Sequence, residues 1–122
     1  MIKFVALLKK KPGMSREALI EYYETKHVPL IRECIPSLYE YTRSYVMPEH
    51  MFVAGHNADV APPPPVFDVI TEIWFTSMEK YREMHAATAD PAVDDRIKRD
   101  EENFLDRTSM TMFLVDERIT AK

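Results

Sequence analysis

The sequence predicts an α+β fold of the ferredoxin-like, split βαβ kind, a four-stranded antiparallel sheet with helices on one face. Three observations predict it. The segments read in the order strand, helix, strand, strand, helices, strand. The strands carry apolar residues on both faces, although helices can cover only one. The second face is therefore expected to bury against another copy of the chain, as a homodimer with sheets packed face to face. Finally, 122 residues suit one domain spanning 1–122.

Ile2–Lys9 reads as the first strand, with Phe4, Ala6 and Leu8 on one face and Val5 and Leu7 on the other. Pro12-Gly13 signals a turn. Ser15 is the expected N-cap of the first helix, and Glu17 complements the dipole in its first turn. At about 100° per residue, Leu19, Ile20, Tyr23, Leu30 and Ile31 share one stripe, and His27 lies inside it, one turn past Tyr23. Pro29 has no N–H and crowds the carbonyl of Thr25, which predicts a break or kink there, with at most a further turn to Cys34. His27 would then stand near a helix C-terminus, where the dipole favours imidazolium while burial favours the neutral ring. The pattern leaves that balance open.

Leu38–Met47 reads as the second strand, with Tyr39, Tyr41, Arg43 and Tyr45 on one face. Such a face either meets a partner subunit or a helix edge, or lines a pocket that hydrogen-bonds an aromatic or oxygenated ligand. The loop 48–66 has neither helical nor strand period and holds His50, Met51-Phe52, Gly55, His56 and Pro62–Pro65. A connection this long is usually functional or mobile, and its prolines favour a stiff extended course. Because Met51 and Phe52 are costly to expose, the loop is expected to cover a pocket mouth or reach the neighbouring subunit. Phe67–Phe75 is the clearest strand, with Val69, Thr71, Ile73 and Phe75 opposite Asp68, Ile70, Glu72 and Trp74. Ser77 caps a helix over Met78–Ala87, with Met78, Tyr81, Met84 and His85 as its inner stripe. Asp90-Pro91 opens another, expected to reach about Asp106. On it Val93, Ile97 and Phe104 fall at about 0°, 40° and 20°, and Asp100 at about −20°, a charge where the pattern calls for a hydrophobe. Thr108–Glu117 closes the chain as a strand.

The totals narrow the function. A net charge of −4 with scattered basic residues speaks against nucleic-acid binding. No apolar run approaches membrane-spanning length, and the N-terminal residues do not read as a signal peptide, so a cytoplasmic protein is expected. Cys34 is the only cysteine, which rules out an internal disulfide, and it reads as a small packing residue. With only Gly13 and Gly55, the Gly-rich phosphate loops are absent.

Four segments carry a resemblance: Leu7–Lys11 with Pro12-Gly13, Glu21-Tyr-Tyr-Glu-Thr-Lys-His-Val-Pro-Leu30, Glu72-Ile-Trp-Phe75 and Asp100-Glu-Glu-Asn-Phe-Leu-Asp106. In them the chain resembles the EthD family over nearly its whole length. The resemblance implies a dimeric α+β barrel and makes His27, Trp74, Asp100 and Phe104 pattern positions. Some relatives accompany ring-hydroxylation gene clusters. Others, in fungal polyketide pathways, are described as decarboxylases or dehydratases of polycyclic aromatic acids. Related barrels include cofactor-free monooxygenases, polyketide cyclases and lactone isomerases.

The available chemistry is acid–base chemistry without a cofactor. No His/Cys/carboxylate set has metal-ligand spacing, no haem attachment motif is present and no nucleophile elbow is present. His27 would be the base or acid, with Asp100 or Tyr45 as its orienting partner; alternatively it is a core histidine tied to Asp100 or a backbone carbonyl. Tyr23, Tyr41, Phe52, Trp74 and Phe104 are the expected substrate contacts, and His85 is expected at the surface or an edge. Two readings follow. One is a lyase or isomerase acting on a small aromatic or polyketide-like molecule. The other is a non-catalytic accessory or ligand-binding protein of an aromatic-compound catabolic cluster.

Overall fold

In a computed structural model the structure describes residues 1–57 and 59–122, so position 58 of the long loop lies outside the described residues. Strands β1 (Ile2–Leu8), β2 (Glu40–Tyr45), β3 (Val69–Phe75) and β4 (Thr111–Val115) form one antiparallel sheet in the order β2-β3-β1-β4. β1 and β2 are both antiparallel to the β3 that separates them, so the chain from β1 to β2 is the split βαβ unit expected. In register, Tyr41, Ile73 and Phe4 form one row and Arg43, Thr71, Ala6 and Met112 the next. These rows face the helices. Val5, Leu7, Ile70, Trp74, Phe113 and Val115 alternate onto the opposite, uncovered face.

The first helix corrects the expected break. Ser15 caps α1 (Arg16–Tyr22) through its side chain, which accepts from the Ala18 N–H at 3.1 Å. The helix then widens into a π-turn over Tyr23–His27, closed by the Val28 N–H on the Tyr23 carbonyl, and continues as α2 (Val28–Cys34). Pro29 does not end it, because it falls in the first turn after the widening, where its missing N–H breaks nothing required. The Thr25 hydroxyl donates to the Glu21 carbonyl at 2.6 Å, a competing bond of the kind that loosens a regular helix. Leu19, Tyr23, His27 and Ile31 are buried at repeated spacings of four. On a regular helix each such step drifts by about 40°; the wide turn absorbs the drift and keeps all four on the sheet side.

The last helix is also shorter than its pattern. After α3 (Met78–Thr88), whose Met78 is exposed rather than inward, α4 (Pro91–Glu101) ends five residues before Asp106. Phe104 is buried in the turn that follows, pinned by backbone bonds from Lys11 N–H to Phe104 O and from Asp106 N–H to Lys9 O, each 2.9 Å. One core cluster gathers Ala6, Leu8, Leu19, Tyr23, Val69, Phe104 and Leu105, and a second gathers Ile31, Cys34, Ile35, Ile73, Phe75 and Met84. Burial raises the pKa of the Cys34 thiol, consistent with a packing residue. Among the described residues no helix is long and apolar enough to cross a membrane.

Candidate active site

His27 stands between the two core clusters, on the wall of a cavity of about 290 Å³ enclosed by the helix-covered sheet face, the π-turn, α2, α3 and α4. Most of its wall is apolar, built from Phe4, Ala6, Leu8, Ile31, Ile73 and Phe75. The imidazole is 4% exposed, and its Nδ1 lies 2.7 Å from Asp100 Oδ2. Asp100 Oδ1 accepts from the Tyr22 hydroxyl at 2.6 Å, and that hydroxyl accepts from Asn103 Nδ2 at 2.8 Å. With a carboxylate as its acceptor, Nδ1 carries the proton, which fixes the neutral tautomer with Nε2 as a bare acceptor. Among the described residues Nε2 has no hydrogen-bond partner, and it is not one of the polar atoms sealed from solvent. Phe104 backs the ring, with centroids 4.8 Å apart, and Tyr23 meets it edge-on at 5.4 Å. Burial lowers the His27 pKa, and the bond and charge of Asp100 raise it by less, so the ring is held below its ordinary range. The balance left open by sequence thus falls to burial, since the helix does not end at His27.

A chain of hydroxyls lies beside it. Tyr41 donates to Tyr23 at 2.8 Å, and Tyr23 shares a 2.6 Å bond with Thr71. All three side chains line the cavity. Burial pushes the Tyr23 pKa up to about 12 and raises that of Tyr41 further, so both phenols stay protonated and able to donate. The sequence signal for Thr71 was a hydroxyl on the otherwise apolar stripe of β3.

Not every expected site residue reaches this place. Asp100, Tyr23 and Tyr41 do, and Phe104 serves as backing rather than as cavity wall. Tyr45 does not orient His27: its hydroxyl donates to Glu24 Oε2 at 2.6 Å, and Glu24 also takes Arg43 Nε and Nη2 at 2.8 and 2.7 Å. Trp74 is on the far face of the sheet, where the Lys3 ammonium lies 5.0 Å over its ring, because strand alternation turns it away from Ile73 and Phe75. Phe52 is 85% exposed, and no described residue of the loop 48–66 lines the cavity, so the described part of the loop does not cover it. His85 is exposed at the rim, edge-on to Tyr81. Tyr22, Asn103, Glu101 and Arg107 were not singled out from sequence. Tyr22, Glu101 and Asn103 lie inside the segments that carry the family resemblance, but the roles of Tyr22 and Asn103 depend on contacts across 78 or more positions.

The comparisons agree with this architecture. The model of the EthD domain matches residues 11–108. Among solved structures, an EthD-family protein from Bacillus halodurans C-125 superposes with a TM-score of 0.61 at 18% identity, over 97% of this chain and 100% of that one. A protein from Arabidopsis thaliana gives 0.62 at 16% identity, over all of both chains. A protein from Thermobifida fusca YX, described as a dimeric ferredoxin-like protein of unknown function, gives 0.50 at 14% identity over 93% of this chain and 88% of that one. A comparison of the sequence with curated proteins gave no match.

Proposed function

The chain belongs to the EthD family, and from that premise we propose that it is an acid–base enzyme of the lyase or isomerase type, acting without a cofactor on a small aromatic or polyketide-like substrate in the His27 cavity. The observation that carries the reading is a buried imidazole whose Nδ1 is occupied by Asp100 at 2.7 Å and whose Nε2 is left open to an apolar cavity. Nε2 takes a proton from a carbon acid or phenol. Asp100 stabilises the imidazolium that forms, and His27 returns the proton to a leaving group or to another carbon. The protonated Tyr41, Tyr23 and Thr71 hydroxyls supply donors for an oxygen that gains charge during the transfer. This order of events serves dehydration, decarboxylation, isomerisation or cyclisation.

Deuterium uptake at the α-carbons of 2-tetralone, followed by NMR in D₂O, tests the reading without knowledge of the natural substrate. The wild-type protein is expected to accelerate uptake, and His27→Asn, folded by circular dichroism, to lose about 10²–10⁴ of that acceleration. If 2-tetralone binds but neither protein accelerates exchange, the non-catalytic ligand-binding reading takes its place.

The proposal includes a homodimer. The uncovered sheet face presents Leu7, Ile70, Trp74, Phe113 and Val115 around the buried Val5, and Phe113 is 40% exposed. A second copy of the same face supplies a matching apolar surface, and the Thermobifida fusca relative is described as dimeric. Phe113→Glu is expected to shift sedimentation from dimer to monomer; a wild-type monomer at micromolar concentration would defeat the assignment.

A further inference from the structure

We infer that Glu101 is a second ligand-binding group of the cavity, accepting a hydrogen bond from a substrate hydroxyl distinct from the group that meets His27. The inference rests on the cavity being the substrate site. Asp100 and Glu101 are consecutive on α4 and so point about 100° apart around its axis. One turns to His27 and Tyr22; the other lines the cavity wall. Glu101 is 9% exposed, yet among the described residues its carboxylate accepts one hydrogen bond, from Arg107 Nε to Oε1 at a long 3.3 Å. Among the described residues Oε2 has no partner, and it is not among the polar atoms sealed from solvent, of which only Ser37 Oγ is unpaired. A carboxylate has room for about four donors, and a buried one left short of them is costly.

A purely structural tie has another form in this molecule. Glu24 takes three donors, all at 2.8 Å or less. Glu101 is left with one weak donor and an open side. Burial raises its pKa, and Arg107 pulls it down by less, so a further donor would relieve the cost of burial. The charges around it narrow the donor. Arg107 beside Glu101 opposes a cation and Glu101 itself opposes an anion, while Lys98 and Asp94 on the wall pair with each other at 2.8 Å. A neutral hydroxyl satisfies Oε2 without either conflict. Together with the acceptor Nε2 of His27 and the apolar wall, this selects a neutral ring compound with two hydroxyl groups.

Three probes test it by titration calorimetry on the full chain: 2,7-dihydroxynaphthalene, 2-naphthol and 2,7-dimethoxynaphthalene. The wild-type protein is expected to bind the diol about tenfold tighter than 2-naphthol, the effect of one added hydrogen bond to a charged group. Glu101→Gln puts an amide in place of the carboxylate, and Glu101→Leu removes both acceptors. In Glu101→Leu the diol preference should fall to about twofold or less, and in Glu101→Gln, whose amide oxygen still accepts, to a value between that and about tenfold, while 2-naphthol affinity stays within about twofold in both. A wild-type preference near one, or a tenfold preference kept in both variants, would overturn the role of Glu101 while leaving the cavity as a ligand site. Failure of the wild-type protein to bind any of the three overturns both.

Discussion

Glu24 and His27 leave the same π-turn three residues apart and meet opposite fates. Glu24 turns to β2, where Arg43 and Tyr45 fill it with three short hydrogen bonds. His27 turns to the cavity, where Asp100 fills one nitrogen and nothing among the described residues fills the other. Both use a carboxylate matched with donors, and both are fixed by the same stretch of helix. The difference lies in saturation. A polar cluster with every strong site occupied can only hold parts together; one with a directed vacancy facing a cavity can also react. On this comparison the Glu24–Arg43–Tyr45 group clamps the π-turn to the sheet, and the His27–Asp100–Tyr22 group is where chemistry is expected.

The comparison breaks most readily on rate. His27→Asn should cost about 10²–10⁴ in probe exchange, whereas Arg43→Met should leave the rate per folded molecule within about fivefold. Equal losses in the two variants would mean that the clamp and the site are one unit. On stability the order reverses. Arg43→Met removes two of the three donors to Glu24 and should cost about 1–3 kcal/mol in urea unfolding, a range kept low because the Glu24 side chain is 37% exposed. Tyr45→Phe removes the third donor and should cost about 1 kcal/mol.

Acid separates the two clusters. The folded pKa of His27 is held below 6.5, so between the two values the unfolded chain binds a proton that the folded chain does not. Its contribution is complete above about 6.5 and is lost as pH falls through the folded value. Arg43, then Tyr45, holds the Glu24 carboxyl below 4.5, so that contribution is present above about 4.5 and is lost only as pH falls through a lower window. Unfolding free energy measured from pH 8 to 3 should therefore decline in two stages. His27→Asn should flatten the upper stage and Arg43→Met the lower one. The smallest effect is expected from shortening the loop between Ala54 and Pro63. None of its described residues lines the cavity, so probe affinity should stay within about twofold. A larger loss would place the loop at the site after all.

Much of this could be read before the structure. The alternation of β3 and the stripe of Leu19, Ile20, Tyr23, His27, Leu30 and Ile31 follow from local periodicity; Leu19, Tyr23, His27 and Ile31 are buried, while Ile20 and Leu30 are only partly so. Asp100 also declared itself, as a charge on an apolar stripe. What escaped depends on distant chain. Trp74 and Phe52 are large aromatics whose type suggests a ligand contact, but strand phase and loop exposure decide their place. Phe104 was assigned to a helix because its angle fitted; pairing of 104–106 with Lys9–Lys11 fixes it instead. Glu101 looked like one acid in an acidic run, and only the cavity beside it sets it apart. The π-turn did leave a trace, since three successive spacings of four are more than a regular helix keeps in line.

That wide turn acts as a phase shifter. It spends one residue more than an ordinary turn for the same advance around the axis, and so decides where all that follows will point. Direction here is a matter of residue count more than of residue identity. Lys26 is exposed, and a substitution there touches little. Its deletion would let the helix run at regular pitch and still bring α2 out facing the sheet, whereas regular pitch with every residue kept would swing α2 by about 100° with the composition of the helix unchanged.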